Sequence, residues 1–212
     1  MIKKYLTGAV VAAGMIIGAS AANAGVIDFT GASSSSGSNT FGFMGDDGTG
    51  VVASVLTGNV GGTTFYGGTL QHSGYGLNIC GDTQWYGCGE NHEIDGYYNE
   101  GVKLTFDKEV SIDKITFNYI DGDDRVIYRS GAGSWSDVAI PGDGNLTIGP
   151  ALLGTIFDIC AVWDARSGRY QADFKLASVE YTVSAVPLPP AVLMFGAALL
   201  GLGWVKRRKQ AA

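Results

Sequence analysis

Two stretches of the chain alternate between apolar and polar residues with a period of two. They are residues 102–106 and residues 112–120, and in the second stretch Ile115, Phe117 and Tyr119 fall on one face. Because this is the period of a strand with one face in a core, each stretch is predicted to be a β-strand. The charged residues between them predict a turn, so the two strands are expected to form a hairpin.

The rest of the chain between the two termini also favours strands over helices. Gly is scattered through it, and short β-branched or aromatic runs are bounded by Gly, Asp, Asn and Ser. Further strands are predicted at residues 26–30, 51–57, 125–129, 138–140, 156–163 and 175–183. The first of these is too short to stand alone and is expected to pair with the last. The predicted fold class is all-β, a two-sheet β-sandwich of the jelly-roll type.

The first 24 residues have the pattern of a secretory signal peptide. Lys3 and Lys4 form a positive start, residues 6–19 are apolar, and Ala22-Asn23-Ala24 is a small-x-small cleavage site before Gly25. Cleavage between Ala24 and Gly25 is therefore expected, and the protein is expected to be exported.

The last two dozen residues have three parts, spanning residues 186–209. They are the Pro-rich motif Val186-Pro187-Leu188-Pro189-Pro190, an apolar run at 191–205 and the basic end Lys206-Arg207-Arg208-Lys209. The apolar run of about fifteen residues is short of the roughly 20 that cross a bilayer as a helix, although the residues before it can lengthen it. The basic end resists translocation and is expected to stay in the cytoplasm. By hydropathy alone, the segment is also compatible with an ordinary C-terminal anchor.

This tail resembles the PEP-CTERM sorting signal of Gram-negative bacteria in its VPLPA-type variant. The resemblance implies that the chain is the substrate of an exosortase, a membrane transpeptidase-like protease that would cut near residues 187–190. The protein would be held transiently at the inner membrane and then passed to the outer envelope, cell surface or extracellular matrix. Two positions depart from the pattern: Leu188 replaces the Glu of the namesake tripeptide, and the usual Pro-Ala step is Pro189-Pro190-Ala191.

Residues 25–185 are thus expected to be the working domain, and part of this segment is also similar to a known group. Glu93-Ile94-Asp95-Gly96, Leu104-Thr105-Phe106-Asp107 and Asp121-Gly122-Asp123-Asp124 resemble the ectodomain common in PEP-CTERM proteins, over roughly residues 75–130. This resemblance implies a lectin-like or galactose-binding-like jelly roll. It implies little about a ligand.

The working domain is strongly acidic. Residues 25–185 hold eight Lys and Arg against all twenty Asp and Glu, a formal charge of −12. Nucleic acid is excluded as an expected partner because binding its backbone requires clustered basic residues. Cations, neutral glycans and basic surfaces remain compatible with this charge.

Acidic turns predict a structural Ca²⁺ site if two of them meet in space. Ca²⁺ takes six to eight oxygen ligands from carboxylates and from carbonyls of Gly-rich turns. The candidate ligands are Asp95, Glu100, Asp121, Asp123 and Asp124. The alternative is that 121–124 is an ordinary turn with solvated carboxylates. The motif Asp46-Asp47-Gly48 is a weaker candidate of the same kind.

Three cysteines suggest one disulfide in an oxidising compartment. Cys80 and Cys88 share a Gly-rich loop and are expected to pair, which leaves Cys160 as a buried free thiol in a strand. Two alternatives remain open: Cys160 pairs with a loop cysteine, or His72 and His92 join the two loop cysteines in a zinc site.

Catalytic motifs are absent from the sequence, but a cluster of aromatic residues indicates binding. There is no Gly-x-Ser-x-Gly elbow, HExxH motif or phosphate-binding loop. Candidate glycan-binding residues lie in a Gly-rich region and are Tyr75, Trp85, Tyr86, Tyr97 and Tyr98. Alternatively these rings cap the core, while Trp135 and Trp163 are assigned to the core or its rim. The expected function is non-enzymatic, structural or glycan-adhesive, with extracellular polysaccharide as the expected partner. The alternative is a secreted polysaccharide hydrolase that uses acidic residues.

Overall fold

A computed structural model of the chain describes residues 23–31, 38–81, 93–122, 124–161 and 172–184, with only the backbone described at 150 and 151. Residues 22–184 form one compact unit. The predicted signal peptide up to residue 22 and the predicted sorting signal lie outside the described residues and stay predictions. Within the described ranges, no helix is long and apolar enough to cross a membrane.

The described part of the chain is all-β, as predicted, and its only helical element is a 3₁₀ turn at Gly96–Tyr98. The strands are β1 Ala24–Asp28, β2 Thr40–Met44, β3 Gly50–Val55, β4 Gly58–Val60, β5 Thr63–Phe65, β6 Thr69–Ser73, β7 Gly76–Cys80, β8 Ile94–Asp95, β9 Gly101–Asn118, β10 Arg125–Ser130, β11 Ser136–Ala139, β12 Asn145–Cys160 and β13 Asp173–Val183. Eleven of these strands join in one antiparallel sheet, while β4 and β5 pair only with each other.

The predicted hairpin between residues 102–106 and 112–120 is wrong, because β9 runs through both stretches as one strand of 18 residues. Its first part pairs with β3 and the end of β12, and its second part pairs with the start of β12 and with β13. Asp107, Lys108 and Glu109 are exposed where the partners change. None of the three has a positive φ, and none is a Gly or Asn of the kind that a tight hairpin turn requires.

Strand β13 is the central strand of one half of the sheet. One of its edges pairs with β9, and the other pairs in turn with β8, β7 and β1. The predicted pairing of the first and last strands is confirmed, with Ile27 opposite Val179. Tyr181 leaves no room for a side chain at Gly25, so the first strand packs closely against the last.

The motif Asp46-Asp47-Gly48 forms the turn between β2 and β3, and its side chains hydrogen-bond to β1 and β13. Asp46 Oδ1 accepts the Val26 N–H at 2.9 Å, and Asp47 Oδ1 accepts the Tyr181 hydroxyl at 2.6 Å. Gly48 has φ +80°, which glycine adopts without strain. Both carboxylates therefore have structural roles in the described fold.

The two halves of the sheet pack against each other across the core. The Phe43 ring on β2 lies 4.9 Å from the Phe29 ring after β1 and 5.1 Å from the His72 ring on β6. The buried hydrophobic residues of the main core all lie between Ile27 and Tyr181. This arrangement is consistent with a β-sandwich.

A second, smaller core covers the opposite face of β10 and β12. Ile127 and Cys160 on these strands pack with Leu56 and Phe65, and Trp135 lies at the margin. Cys160 is a buried free thiol, as predicted, so the alternative in which it pairs with a loop cysteine is wrong. Trp135 is half-buried, as expected for a rim residue, whereas Trp163 lies outside the described residues.

Candidate functional site

Two acidic turns meet at the start of β13. Asp95 on β8 lies opposite Asp173 on β13, and Asp124 Oδ1 accepts the Asp173 N–H at 3.2 Å. The turn after β8 and the turn after β9 are therefore neighbours. This is the meeting on which the calcium prediction depended.

The turn after β8 is held by its own carboxylates. Asp95 accepts the Tyr97 N–H at 2.6 Å as the cap of the 3₁₀ turn, and Glu100 Oε2 accepts the Asp95 N–H at 2.9 Å. Asn99 adopts the left-handed conformation with φ +47°, which Asn tolerates better than most residues. Local side-chain hydrogen bonds thus define this turn.

Glu100 is fully buried, and its Oε1 atom has no hydrogen-bond partner among the described residues. Burial raises the pKa of this carboxyl to about 8, and the Asp95 N–H bond offsets only part of the effect. Glu100 is accordingly mainly protonated at neutral pH. A neutral carboxyl is a poor ligand for a cation.

Asp124 is buried too, although its sequence context is a polar turn. It exposes 3% of its surface, and its second oxygen, Oδ2, accepts the Asp121 N–H. Burial raises its pKa to about 6. The interpretation of 121–124 as a turn is confirmed for the described positions, but the idea that its carboxylates are all solvated is wrong for Asp124, because two backbone donors hold it inside.

Sequence reasoning missed Glu93, Asp173 and Lys175 at this site. Burial and then the Asp173 carboxylate raise the pKa of Glu93 to about 7, while Lys175 opposes the shift. Asp173 and Lys175 open a strand that was predicted, but a period-two pattern cannot show that its first residues face two distant turns. The acidic groups that the structure describes at this end of the fold include Glu93, Asp95, Glu100, Asp121, Asp124 and Asp173.

Among the residues that the structure describes, no group of three or more metal-binding side chains is placed to hold an ion. Asp123 lies outside the described residues, so the predicted Ca²⁺ set of Asp95, Glu100, Asp121, Asp123 and Asp124 stays a prediction.

The zinc alternative is wrong for the two of its residues that are described. His72 lies opposite Leu77 and Cys80 lies opposite Thr69 in the β6–β7 pair. Positions three apart on a strand point to opposite faces, so His72 and Cys80 cannot share one ion. Cys88 and His92 lie outside the described residues, and the Cys80–Cys88 disulfide stays a prediction.

Two tyrosines form an exposed corner beside the acidic groups. The rings of Tyr75 and Tyr119 lie 4.9 Å apart at 78°, and these residues are 48% and 43% exposed. The buried Lys175 places Nζ 4.3 Å from the Tyr119 ring centroid and 5.4 Å from that of Tyr75. Asn118 Nδ2 donates to the Tyr75 carbonyl at 2.8 Å, which ties the two segments together.

The prediction that Tyr119 faces the core with Ile115 and Phe117 is wrong. Ile115 and Phe117 are buried, but β9 ends at Asn118 and Tyr119 has φ +57°. This left-handed residue breaks the alternation and turns the ring outward. The end of the strand is indicated by the polar residues at 121–124 that follow it, and not by the alternation within residues 112–120.

Of the other candidate glycan-binding residues, Tyr97 is 48% exposed, and its ring packs edge-on to Tyr98 at 4.6 Å. Trp85 and Tyr86 lie outside the described residues. Tyr75 and Tyr97 therefore do not simply cap the core, because about half of each residue is accessible to a ligand.

The buried free cysteine, Cys160, is unsuited to nucleophilic chemistry. Burial raises the pKa of the Cys160 thiol well above its usual range, and Asp158 adds to the shift. A nucleophile must be a thiolate, which this environment disfavours.

Comparisons with protein-family models, with curated proteins and with solved structures found no match to this chain. Function is therefore inferred from the chemistry of the residues.

Proposed function

We propose that this chain is an exported cell-surface or extracellular-matrix protein that is sorted by an exosortase and acts structurally or as a glycan adhesin. The observation that carries the proposal is the position of one compact unit, residues 22–184, between a signal-peptide pattern and a PEP-CTERM-like tail. The buried core residues that the structure describes run from Ile27 to Tyr181, within the part of the chain that removal of both tags would leave.

Properties of the unit support an extracellular location. We assign it the lectin-like jelly-roll form of the β-sandwich, with a disulfide between Cys80 and Cys88. Since Cys160 is a free buried thiol, only these two of the three cysteines remain to pair. A loop of this size closed by a disulfide adds roughly 2 to 3 kcal/mol to stability on the chain-entropy estimate.

Adhesion to glycans is supported by exposed tyrosines next to polar groups. Carbohydrate sites combine aromatic rings, which pack against the apolar face of a sugar, with side chains that bind its hydroxyls. Tyr75, Tyr97 and Tyr119 are accessible, and Asp121 and Asp173 are exposed nearby.

A second candidate function, a polysaccharide hydrolase, is favoured by one observation. Burial and then the Asp173 carboxylate raise the pKa of Glu93 to about 7, and a general acid in a glycosidase needs such a raised pKa. A glycan array with the domain 25–185, followed by analysis of the bound glycans for new reducing ends, separates the two functions. Binding without products is the expected result, and product formation would overturn the non-enzymatic proposal.

The sequence prediction of structural Ca²⁺ at Asp95, Glu100, Asp121, Asp123 and Asp124 is tested apart from this proposal, because no three of its described carboxylates are placed to hold one ion. Bound ion would stabilise the folded state according to its concentration relative to Kd. The melting temperature of the domain is expected to be higher in millimolar Ca²⁺ than in EDTA, and to match EDTA in an Asp121→Asn, Asp123→Asn double variant. Equal melting temperatures for the unmodified domain in Ca²⁺ and EDTA would contradict the calcium prediction.

A further inference from the structure

The Tyr75 and Tyr119 rings form a corner that is fixed before any ligand arrives. Tyr75 lies in the turn between β6 and β7, where its N–H donates to Ser73 Oγ at 3.3 Å and its carbonyl accepts from Asn118. The buried Lys175 ammonium covers the inner side of the Tyr119 ring at 4.3 Å. Ordering these rings on binding would therefore cost little entropy.

The two half-exposed rings meet at nearly a right angle. With an interplanar angle of 78°, one ring can lie flat against a sugar while the edge of the other borders it. Two rings in this arrangement do not make a flat platform. A single sugar residue fits such a corner, whereas a flat crystalline array of sugars needs coplanar rings.

Exposed carboxylates lie beside the corner, whereas the Lys175 ammonium next to the rings is buried. Asp121 follows Tyr119 by two positions and is exposed, and Asp173 precedes Lys175 by two positions and is also exposed. Glu93 is close enough to Lys175 and Asp173 for their charges to act on it. Carboxylates at this rim accept hydrogen bonds from sugar hydroxyls but repel a uronate.

From this geometry we propose that the corner of Tyr75 and Tyr119 binds one pyranose residue of a neutral glycan, at a chain end or in a single soluble chain. This inference rests on the proposed adhesive function and gives it a site and a ligand class. The exposed carboxylate of Asp121 and the side chain of Asn118 are the neighbouring groups for sugar hydroxyls.

The test measures binding of the exported domain 25–185 to three kinds of probe. They are soluble neutral oligosaccharides of glucose, galactose and mannose, alginate fragments as the uronate probe, and microcrystalline cellulose as the flat surface. Wild-type domain is expected to bind at least one neutral oligosaccharide and to bind neither of the other two probes measurably.

Matched variants locate the site. Tyr75→Ala and Tyr119→Ala are each expected to weaken binding about tenfold, the change that corresponds to about 1.4 kcal/mol. Tyr75→Phe, which keeps the ring, is expected to stay within about threefold of wild type. Tyr66→Ala removes a tyrosine that is 72% exposed elsewhere and is expected to change nothing. Unchanged melting temperatures exclude unfolding as the cause.

The outcomes separate this inference from the function on which it rests. Glycan binding that survives Tyr119→Ala, or that is lost in Tyr97→Ala instead, would overturn the corner as the site and leave adhesion standing. Preference for alginate or crystalline cellulose would overturn the ligand class. Failure of the wild-type domain to bind any probe would overturn both the inference and the adhesive function.

Discussion

At the scale of single residues, the buried carboxyl of Glu100 makes stability depend on pH. Burial raises its pKa from 4.5 to about 8, so the folded state keeps a proton that the unfolded chain releases at lower pH. The stabilising effect of this proton is complete below about pH 4.5 and is lost as pH rises through about 8. Glu93 and Asp124, whose pKa values are also raised, act in the same direction.

Glu100→Gln is expected to remove this part of the pH dependence, because an amide cannot ionise. Between pH 5 and 8, the unfolding free energy of wild type should fall relative to that of the variant by up to about 1.4 kcal/mol per pH unit. Urea unfolding at each pH measures the difference. Glu109→Gln, the same change at an exposed position, is the control, and parallel profiles for wild type and Glu100→Gln would contradict the assignment.

Residue-level predictions from the sequence succeeded where the environment is local. Ile115 and Phe117 are buried as the alternation indicates, whereas Tyr119 is exposed because a left-handed residue ends the pattern. Asp124 is buried because Asp173, 49 positions away, donates to it. A contact at that separation leaves no local signal in the sequence.

At the scale of elements, the continuous strand β9 replaces the predicted hairpin. The charged residues 107–109 have the composition of a turn, but they lie where the strand exchanges one set of partners for another. Because both halves of β9 pair with β12, an extended strand is favoured over a hairpin turn at residues 107–109. The strands that were not predicted, including β2 and β6, contain Gly or polar residues. Pairing with neighbouring strands, rather than intrinsic β propensity, stabilises them.

Replacing Asp107-Lys108 by Asn-Gly tests the continuity of β9. Asn-Gly favours a hairpin turn, while Gly inside a strand costs about 1 kcal/mol. The double variant is expected to lose about that much unfolding free energy. Asp143→Asn, which makes an Asn-Gly pair at a turn where Gly144 already has φ +73°, should stay within about 0.5 kcal/mol of wild type. A gain in stability for the β9 variant would support the hairpin instead.

Substitutions at two adjacent residues of β1, whose side chains lie on opposite faces of the strand, test its pairing with β13. Ile27 is fully buried, whereas Val26 is 39% exposed. Ile27→Ala is expected to lower the unfolding free energy by about 2 to 4 kcal/mol through the cavity that it leaves, and Val26→Ala by less than about 1 kcal/mol. Chemical denaturation measures both. Equal losses would contradict the placement of β1 in the sheet.

At the scale of the whole molecule, fold class was more predictable than topology or site. Period-two patterns and turn residues were sufficient for an all-β assignment and for the pairing of the first and last strands. They could not show that β9 and β12 each extend through both halves of the sheet. The site was predicted in part, since Asp95, Glu100, Asp121 and Asp124 do lie near one another. Lys175 and Tyr119 were not predicted there, because tertiary packing places them at the site.

The molecule is proposed to be a compact acidic β domain delivered by two tags. In this proposal, export requires the first tag, and hand-over to the cell surface or matrix requires cleavage at the second. Adhesion at the tyrosine corner depends on that delivery, because the glycans it would bind lie outside the cell.

Delivery by two tags is tested by mass spectrometry of both ends of the native protein. We expect a mature N-terminus at Gly25 and a C-terminus near residues 187–190, without the apolar run or the basic end. A native protein that retains residues 191–209 would contradict sorting by an exosortase and would make the tail an ordinary membrane anchor.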